Sequence, residues 1–411
     1  MRLNKFIGDS FLMILSSGIA QVILIITTPI ITRLYSPTEF GEFTIFSNIA
    51  MILIPIINAR YDLLIVNTKN DRSANILSQI SFLISLLILL ILIPIFAISA
   101  CLYPNFILDF IFIIMLFLVS LTNIFTNYLN KERKYKVLSL INVFRAGSMA
   151  LLQIIFGLLA LGSLGLIIGF SLSYIAGITL GYKTFKKHFN IVRDKEETKA
   201  LFLENKNQLV YSTPSILLNS LSFSVVVFFI GILYTNTEVG IYGMAIRVLG
   251  IPVTIISLGL SKIFMQQAND YYIEHGNFRN LLLKFSSILV IVSIILYVPL
   301  YLFSEELVNI LLGHSWVDAI TVIKIVIPLF VIRLIVSTVS LSVIVLQKQQ
   351  LELILQALFL IGTTATFVIS KMLNLTFLNF VSINTIVLIV SYMIFFIALY
   401  YFAKNKQFKN S

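Results

Sequence analysis

Leu34-Tyr35-Ser36-Pro37-Thr38-Glu39-Phe40-Gly41-Glu42-Phe43 returns 199 residues later as Leu233-Tyr234-Thr235-Asn236-Thr237-Glu238-Val239-Gly240-Ile241-Tyr242. The shared pattern is L-Y-x-x-T-E-x-G-x-aromatic, and each copy separates two long apolar runs. Each copy therefore reads as the connection between the first and second helices of a half-chain. In this position Thr and Glu suit the capping of the incoming helix, and Gly suits a tight reversal. Pro55 and Pro252 then fall at nearly equivalent depths in the two halves.

Working outward, the apolar runs are long enough to cross a bilayer. Of 411 residues, 59% are hydrophobic and 11% charged, against about 45–50% and about 25% in soluble domains. That excludes a soluble enzyme, a secreted disulfide scaffold and a disordered chain, and it supplies enough apolar residues for about twelve spans of ~20 residues. The runs are continuous rather than alternating, so the spans are helices and not barrel strands. They lie at approximately 10–32, 43–66, 76–102, 106–129, 137–160, 164–185, 209–234, 240–264, 281–303, 319–345, 351–371 and 377–402. No small-x-small cleavage site follows Arg2 and Lys5, so the first run reads as a retained helix.

Basic residues orient these spans. With the N-terminus in the cytoplasm, the inner segments hold 21 of the 29 Lys and Arg, and the outer segments hold only Arg33 and Lys371. The outer segments also carry Glu39, Glu42, Asp109, Glu238, Glu305, Glu306 and Asp318. The asymmetry places both termini in the cytoplasm, and it explains a net charge of +11 without nucleic acid as a partner. The segment 186–208 is the longest connection and reads as a solvated, charge-mixed linker with room for a short surface helix.

The expected organisation is an N-terminal six-helix bundle (1–185), a cytoplasmic linker (186–208), a C-terminal six-helix bundle (209–403) and a basic tail (404–411). Because the first span of each half starts on the same side, the repeat is parallel, with its axis along the membrane normal and the polar site between the halves. The fold class is an all-α polytopic membrane protein with about twelve transmembrane helices in two six-helix bundles around a central cationic cavity. That architecture suits alternating access.

Six bases fall within the spans: Arg60, Arg145, Arg247, Lys262, Lys324 and Arg333. Apart from Asp109 and Glu352 in the end turns of their spans, the only acid there is Asp62. A charge near the bilayer centre costs at least ~2.5–3.5 kcal/mol, so these cations should face a polar cavity or snorkel. Lys262 lies near a helix end and is expected to snorkel. Arg60, Arg145, Arg247 and Arg333 sit deeper and, with Lys324, form the candidate substrate-binding set. Asp62 is two residues from Arg60, so on a regular helix the two point about 200° apart. Its expected partner is Arg145.

Catalytic chemistry has no foothold in the sequence. There is no G-x-x-x-x-G-K-[ST] loop, no H-E-x-x-H and no paired acid within a span. Cys101 is the single cysteine, and His188, His275 and His314 are far apart in predicted loops. No metal, no cofactor and no enzymatic activity are expected.

At this point a family resemblance becomes visible. The repeated turn, Arg60-Tyr61-Asp62 in the second span and Tyr128-Leu129-Asn130-Lys131-Glu132-Arg133 before the fifth are part of it. The run Gly162 to Gly169 and the stretch Leu312-Gly313-x-x-Trp316-x-x-Ala319 complete it. Together they resemble the Wzx-type O-antigen flippases of polysaccharide biosynthesis, in the multidrug/oligosaccharidyl-lipid/polysaccharide exporter superfamily. The resemblance implies translocation of an undecaprenyl-diphosphate-linked oligosaccharide repeat from the cytoplasmic to the periplasmic leaflet of the bacterial inner membrane. It also implies ion-coupled alternating access, with a proton or sodium as coupling ion and Asp62 as coupling or gating acid. The polymerase and chain-length machinery would be partners. Arginine suits an anionic cargo, because its planar fork grips phosphate or carboxylate with paired hydrogen bonds and stays charged. Alternatives are a lipid II flippase, a multidrug extruder of the same superfamily, or an O-antigen polymerase or ligase. A multidrug extruder would favour acids in its cavity, and a polymerase or ligase would need a large outer loop.

Overall fold

The computed structural model describes residues 2–68, 70–102 and 106–404, so Lys69 and 405–411 of the basic tail lie outside the described residues. Every regular element among the described residues is a helix, and eleven helices are long and apolar enough to cross a membrane. Helices are the form in which a lipid-exposed chain can satisfy its own backbone groups.

The chain forms two compact units, one of 1–35 with 45–224 and the other of 36–44 with 225–411. In chain order the first ten helices are α1 (Arg2–Leu34), α2 (Pro37–Leu53), α3 (Tyr61–Asn67), α4 (Asp71–Leu102), α5 (Phe106–Lys131), α6 (Tyr135–Leu158), α7 (Ser163–Leu172), α8 (Ile175–His188), α9 (Lys195–Glu204) and α10 (Thr213–Leu233). They continue as α11 (Asn236–His275), α12 (Arg279–Leu302), α13 (Ser304–Leu311), α14 (Ala319–Val339), α15 (Ser342–Val345), α16 (Gln350–Met372) and α17 (Phe377–Phe402). Within the first unit α1 packs on α6, and α5 is flanked by α4 and α8. Within the second, α14 is the central helix, packed by α11, α12 and α17.

The second span is not the continuous helix expected over 43–66. It is α2, an irregular stretch at 54–60 and the short α3. Pro55 supplies no N–H and disfavours a helical Ile54, which opens the ladder. Ala59 (φ 46°) and Arg60 (φ 62°) then take left-handed backbone, a conformation that costs a non-glycine residue free energy and needs tertiary support. In the other half Pro252 sits inside an unbroken α11 of 40 residues. At ~1.5 Å per residue that helix is about 60 Å long, twice the hydrocarbon thickness.

The repeated turn has a different physical role from a tight reversal. Its caps are Ser36 and Thr235: the Glu39 carboxylate accepts from the Ser36 N–H (2.7 Å), and Glu238 accepts from the Thr235 N–H (2.7 Å). Thr38 and Thr237, expected as caps, instead hydrogen-bond to each other at 2.7 Å. Gly41 and Gly240 are helical and lie where the starts of α2 and α11 touch. A Cβ on Gly41 would strike the carbonyl oxygen of Asn236, and one on Gly240 would strike that of Pro37. The two contacts are reciprocal at the same 199-residue offset, so this part of the second unit has a local two-fold relation.

The linker carries the surface helix expected of it. α9 begins at Asp194, whose side chain accepts from the Glu197 N–H. It is tied to α4 by Arg72, which pairs with Asp194 (3.2 Å) and Glu197 (2.6 Å). The Phe202 ring stacks on Tyr61 at 5.5 Å, and the Tyr61 hydroxyl donates to the Phe202 carbonyl. Beside it, Lys131 bonds Asp71, and His188 faces Asp71 (3.8 Å) and Glu132 (3.9 Å). The Tyr128-to-Arg133 stretch thus contributes to an ionic cluster that closes the ends of α4, α5 and α8.

Candidate functional site

In the first unit the site is built on the break in the second span. Irregular backbone at membrane depth persists only where it is buried and satisfied; here local turns pair it, Ile56 N–H to the Leu53 carbonyl, Ala59 N–H to Ile56 and Tyr61 N–H to Asn58, while α4 and α5 hold its polar side chains. Asn58 is 1% exposed; its amide donates to the Ser120 hydroxyl (2.8 Å) and the Ser81 carbonyl (3.3 Å). Asn123 donates to the Asn58 oxygen at 3.2 Å. One helical turn further, Asn127 donates to the Asp62 carboxylate at 2.9 Å.

Asp62 is buried in the first turn of α3, where the exposed N–H groups of a helix start favour a negative charge. Arg60 precedes it at the N-cap without capping the helix, and its Nε is buried without a hydrogen-bond partner. The three motif residues therefore point to different tasks. Tyr61 reaches α9, Asp62 reaches α5, and Arg60 retains unspent hydrogen-bonding capacity.

Arg145 does not meet Asp62. Its guanidinium lies 4.7 Å from the centroid of the Tyr174 ring, at the junction of α7 and α8. The expected ion pair fails because the break re-aims Asp62 toward the amide ladder of α5, which a regular helix would not do. Arg145 is exposed rather than buried among acids.

The second unit holds Arg247, Arg333 and Lys324. Arg247, on α11, lies over the Phe40 ring at 5.7 Å, and one of its terminal nitrogens is buried without a hydrogen-bond partner. Phe40 itself is held edge-on by Trp316 and Phe43, each at 5.6 Å. Arg333, on α14, lies over Phe330 at 5.4 Å, with the phenols of Tyr242, Tyr297 and Tyr392 within electrostatic reach. Those tyrosines come from α11, α12 and α17, the three helices that pack most extensively on α14. The Tyr297 hydroxyl donates to the Leu249 carbonyl at 2.9 Å. Ser257 on α11 bonds Ser337 and Thr338 on α14 (2.9 and 3.0 Å). Lys324 lies nine residues before Arg333 on α14, ~13 Å along the axis, with its ammonium 5.8 Å from the Tyr301 ring. Lys262 is exposed.

Arg60, Arg145, Arg247 and Lys324 form no ion pair with a carboxylate among the described residues. Aromatic faces take the place of counterions for several of them. A ring face stabilises a cation by about 0.5–2 kcal/mol but adds no negative charge, so the guanidinium can still bind an anion. Among the described residues no three His, Cys, Asp or Glu side chains converge to hold a metal.

The sequence reading missed Asn58, Asn123 and Asn127, and the tyrosines around Arg333. A signal was present for the first group. Thr122-Asn123 and Thr126-Asn127 repeat at a spacing of four within an otherwise apolar helix, so both amides share one face. Tyr242, Tyr297 and Tyr392 are far apart in the chain and carry no such mark.

A family model described as polysaccharide biosynthesis protein matches residues 30–321. The chain belongs to that family. No curated protein sequence matches it, but solved structures do. It is similar to the inward-closed lipid II flippase MurJ, at 13% identity over 94% of this chain and 86% of that one, with a TM-score of 0.73. It is also similar to an inward-facing multidrug resistance MATE family transporter of the MOP superfamily, at 16% identity over 95% and 93%, with a TM-score of 0.64. A MOP superfamily transporter from Pyrococcus furiosus, described as having reverse polarity in its binding pocket, matches at 14% identity over 96% and 94%, with a TM-score of 0.55. The family assignment fits the expectation drawn from the motifs, and the structural likeness gives the fold of these membrane transporters.

Proposed function

We propose that this polysaccharide biosynthesis protein is a flippase. Its cargo is an undecaprenyl-diphosphate-linked oligosaccharide repeat of a surface polysaccharide, moved from the cytoplasmic to the periplasmic leaflet of a bacterial inner membrane by ion-coupled alternating access. The observation that carries the reading is the set of intramembrane cations without carboxylate partners: Arg60 and Arg145 in one unit, Arg247 and Lys324 in the other. A protein that places several charges at such a cost, and sets most of them against rings rather than neutralising them with acids, is suited to a polyanionic guest. A lipid diphosphate is such a guest. Arg333, beside the phenols of Tyr242 and Tyr392, adds hydrogen-bond donors suited to sugar hydroxyls and phosphate oxygens alongside its own charge.

Asp62, held by Asn127 and preceded by Arg60, is the coupling acid in this reading. Its protonation or its occupation by sodium would change the charge on a segment whose helix is already broken. The two six-helix halves and the cytoplasmic position of both termini remain part of the proposal, on the strength of the repeat and of the basic asymmetry.

The test uses the purified chain in vesicles carrying a lipid-linked oligosaccharide on one leaflet. Arg333→Gln should abolish translocation while leaving the protein inserted at normal abundance, and Arg333→Lys should restore part of it, since the paired fork is lost but the charge remains. Wild-type translocation by Arg333→Gln would remove Arg333 from the path. Collapse of both variants from the membrane would make it a structural clamp.

A further inference from the structure

The first unit contains a groove that the flippase reading leaves unused. It lies between α4 and the segment leading into α9, with a volume of about 780 Å³. Its floor is apolar and comes from α4: Ile80, Leu83, Ile84 and Leu87. Leu83 and Leu87 are 55% and 59% exposed, so the floor runs on into the outward face of a membrane helix. Its rim is basic, formed by Arg193, Lys195 and Lys199.

Several details make this a built site. The segment before α9 is fixed against α4 by the Gln79 amide, which bonds both the N–H (2.8 Å) and the carbonyl (3.0 Å) of Val192. Asp194, the one acid on the rim, is taken by Arg72 together with Glu197. The Thr198 hydroxyl is used on the Asp194 carbonyl. Arg193, Lys195 and Lys199 form no ion pair among the described residues. Lys195 and Lys199 are four residues apart and so share a face of α9.

We infer that this groove binds an anionic glycerophospholipid of the leaflet on the α9 side. Its headgroup phosphate lies against Arg193, Lys195 and Lys199, and an acyl chain lies along Leu83 and Leu87. Charge complementarity selects the headgroup, because cations at the edge of a membrane helix gather anionic lipid. The apolar floor selects a lipid over a free phosphate. Such a lipid would hold α9 down on α4 and on Tyr61, the residue next to Asp62. The inference does not depend on what the protein transports.

The experiment is native mass spectrometry of the full chain in neutral detergent, titrated with phosphatidylglycerol, with phosphatidylcholine of the same acyl chains, and with inorganic phosphate. One phosphatidylglycerol should bind at least tenfold more tightly than phosphatidylcholine, and inorganic phosphate should not bind. Each cation near an anionic lipid surface contributes on the order of fivefold, so R193Q/K195Q/K199Q should weaken phosphatidylglycerol by on the order of 100-fold and leave phosphatidylcholine unchanged. Thr198→Lys should tighten phosphatidylglycerol about fivefold, a gain that misfolding cannot produce. Equal affinity for the two lipids, unchanged phosphatidylglycerol binding by the triple variant, or no gain from Thr198→Lys would overturn the inference. So would one-for-one displacement of phosphatidylglycerol by undecaprenyl diphosphate at higher affinity, which would make the groove a cargo site. None of these outcomes bears on Arg333, so failure here and failure of the flippase reading are separable.

Discussion

Replacing Gly41 or Gly240 with alanine probes the contact on which the repeat converges. On Gly41 the new Cβ meets the Asn236 carbonyl oxygen, with the carbonyl carbon at 2.7 Å and the Gly240 nitrogen at 3.1 Å. On Gly240 it meets the Pro37 carbonyl oxygen, with the Pro37 carbon and the Gly41 nitrogen both at 2.9 Å. Both obstacles are backbone, so no rotamer change relieves them. An ordinary contact begins at 3.4 Å, and the carbonyl oxygen is the nearest atom in each case, so the helix starts must part by about 1.5 Å. Overpacking of this kind costs about 1–3 kcal/mol, and loss of the Thr38–Thr237 hydrogen bond adds ~0.5–1.5 kcal/mol. Together they amount to about 2–4 kcal/mol, which for the second unit, about 200 residues unfolding as one cooperative body, is a fall of about 5–15 °C in its midpoint. The assay is thermal unfolding in detergent followed by the fluorescence of Trp316, the only tryptophan, which packs on Phe40 beside this contact. The Gly41→Ala/Gly240→Ala double variant should lose less than the two singles added together, because the second Cβ enters a gap the first has opened. Single variants within 2 °C of wild type, or a strictly additive double, would refute the close-contact account.

Other consequences follow from the polar and cationic clusters within each unit. Asn127→Leu leaves the buried Asp62 carboxylate without its side-chain donor and should destabilise by about 1–3 kcal/mol, more than Asp62→Asn, which keeps an acceptor in place; thermal unfolding of the two variants checks the order. Asp62→Asn should still abolish translocation at normal abundance, and adding Arg145→Gln should not restore it, because the two residues are not paired; lipid-linked oligosaccharide export reads this out. Arg247→Met keeps the contact with Phe40 and removes the charge, so abundance should hold within ~1 kcal/mol of wild-type stability while translocation falls at least tenfold. Alkaline phosphatase should be active when fused after Glu238 and inactive after Lys195, and the reverse would overturn the orientation.

The sequence alone determined the class of this protein, because the controlling physics is local. A bilayer requires long apolar helices, and each such run is visible residue by residue. The repeat was legible because Gly41 and Gly240, with the glutamates that cap their helices, occupy a contact that admits no larger residue at either copy. The intramembrane cations were legible for a similar reason, since a charge in an apolar run is costly wherever it falls. Tertiary structure alone decided the partners. Pro55 and Pro252 look alike in sequence, yet one lies beside a break and the other inside an unbroken helix. A difference between them is the Ser120, Asn123 and Asn127 face of α5, together with Ser81 of α4, which takes up the polar side chains of Asn58 and Asp62 on either side of the break's end. That break turned Asp62 toward Asn127 and away from the arginine a regular helix would have suggested. The rings around Arg333 come from three separate helices, and only packing brings them to one charge. Helix formation is written in neighbouring residues; the counterpart of a buried charge is set by whichever helix is packed against it.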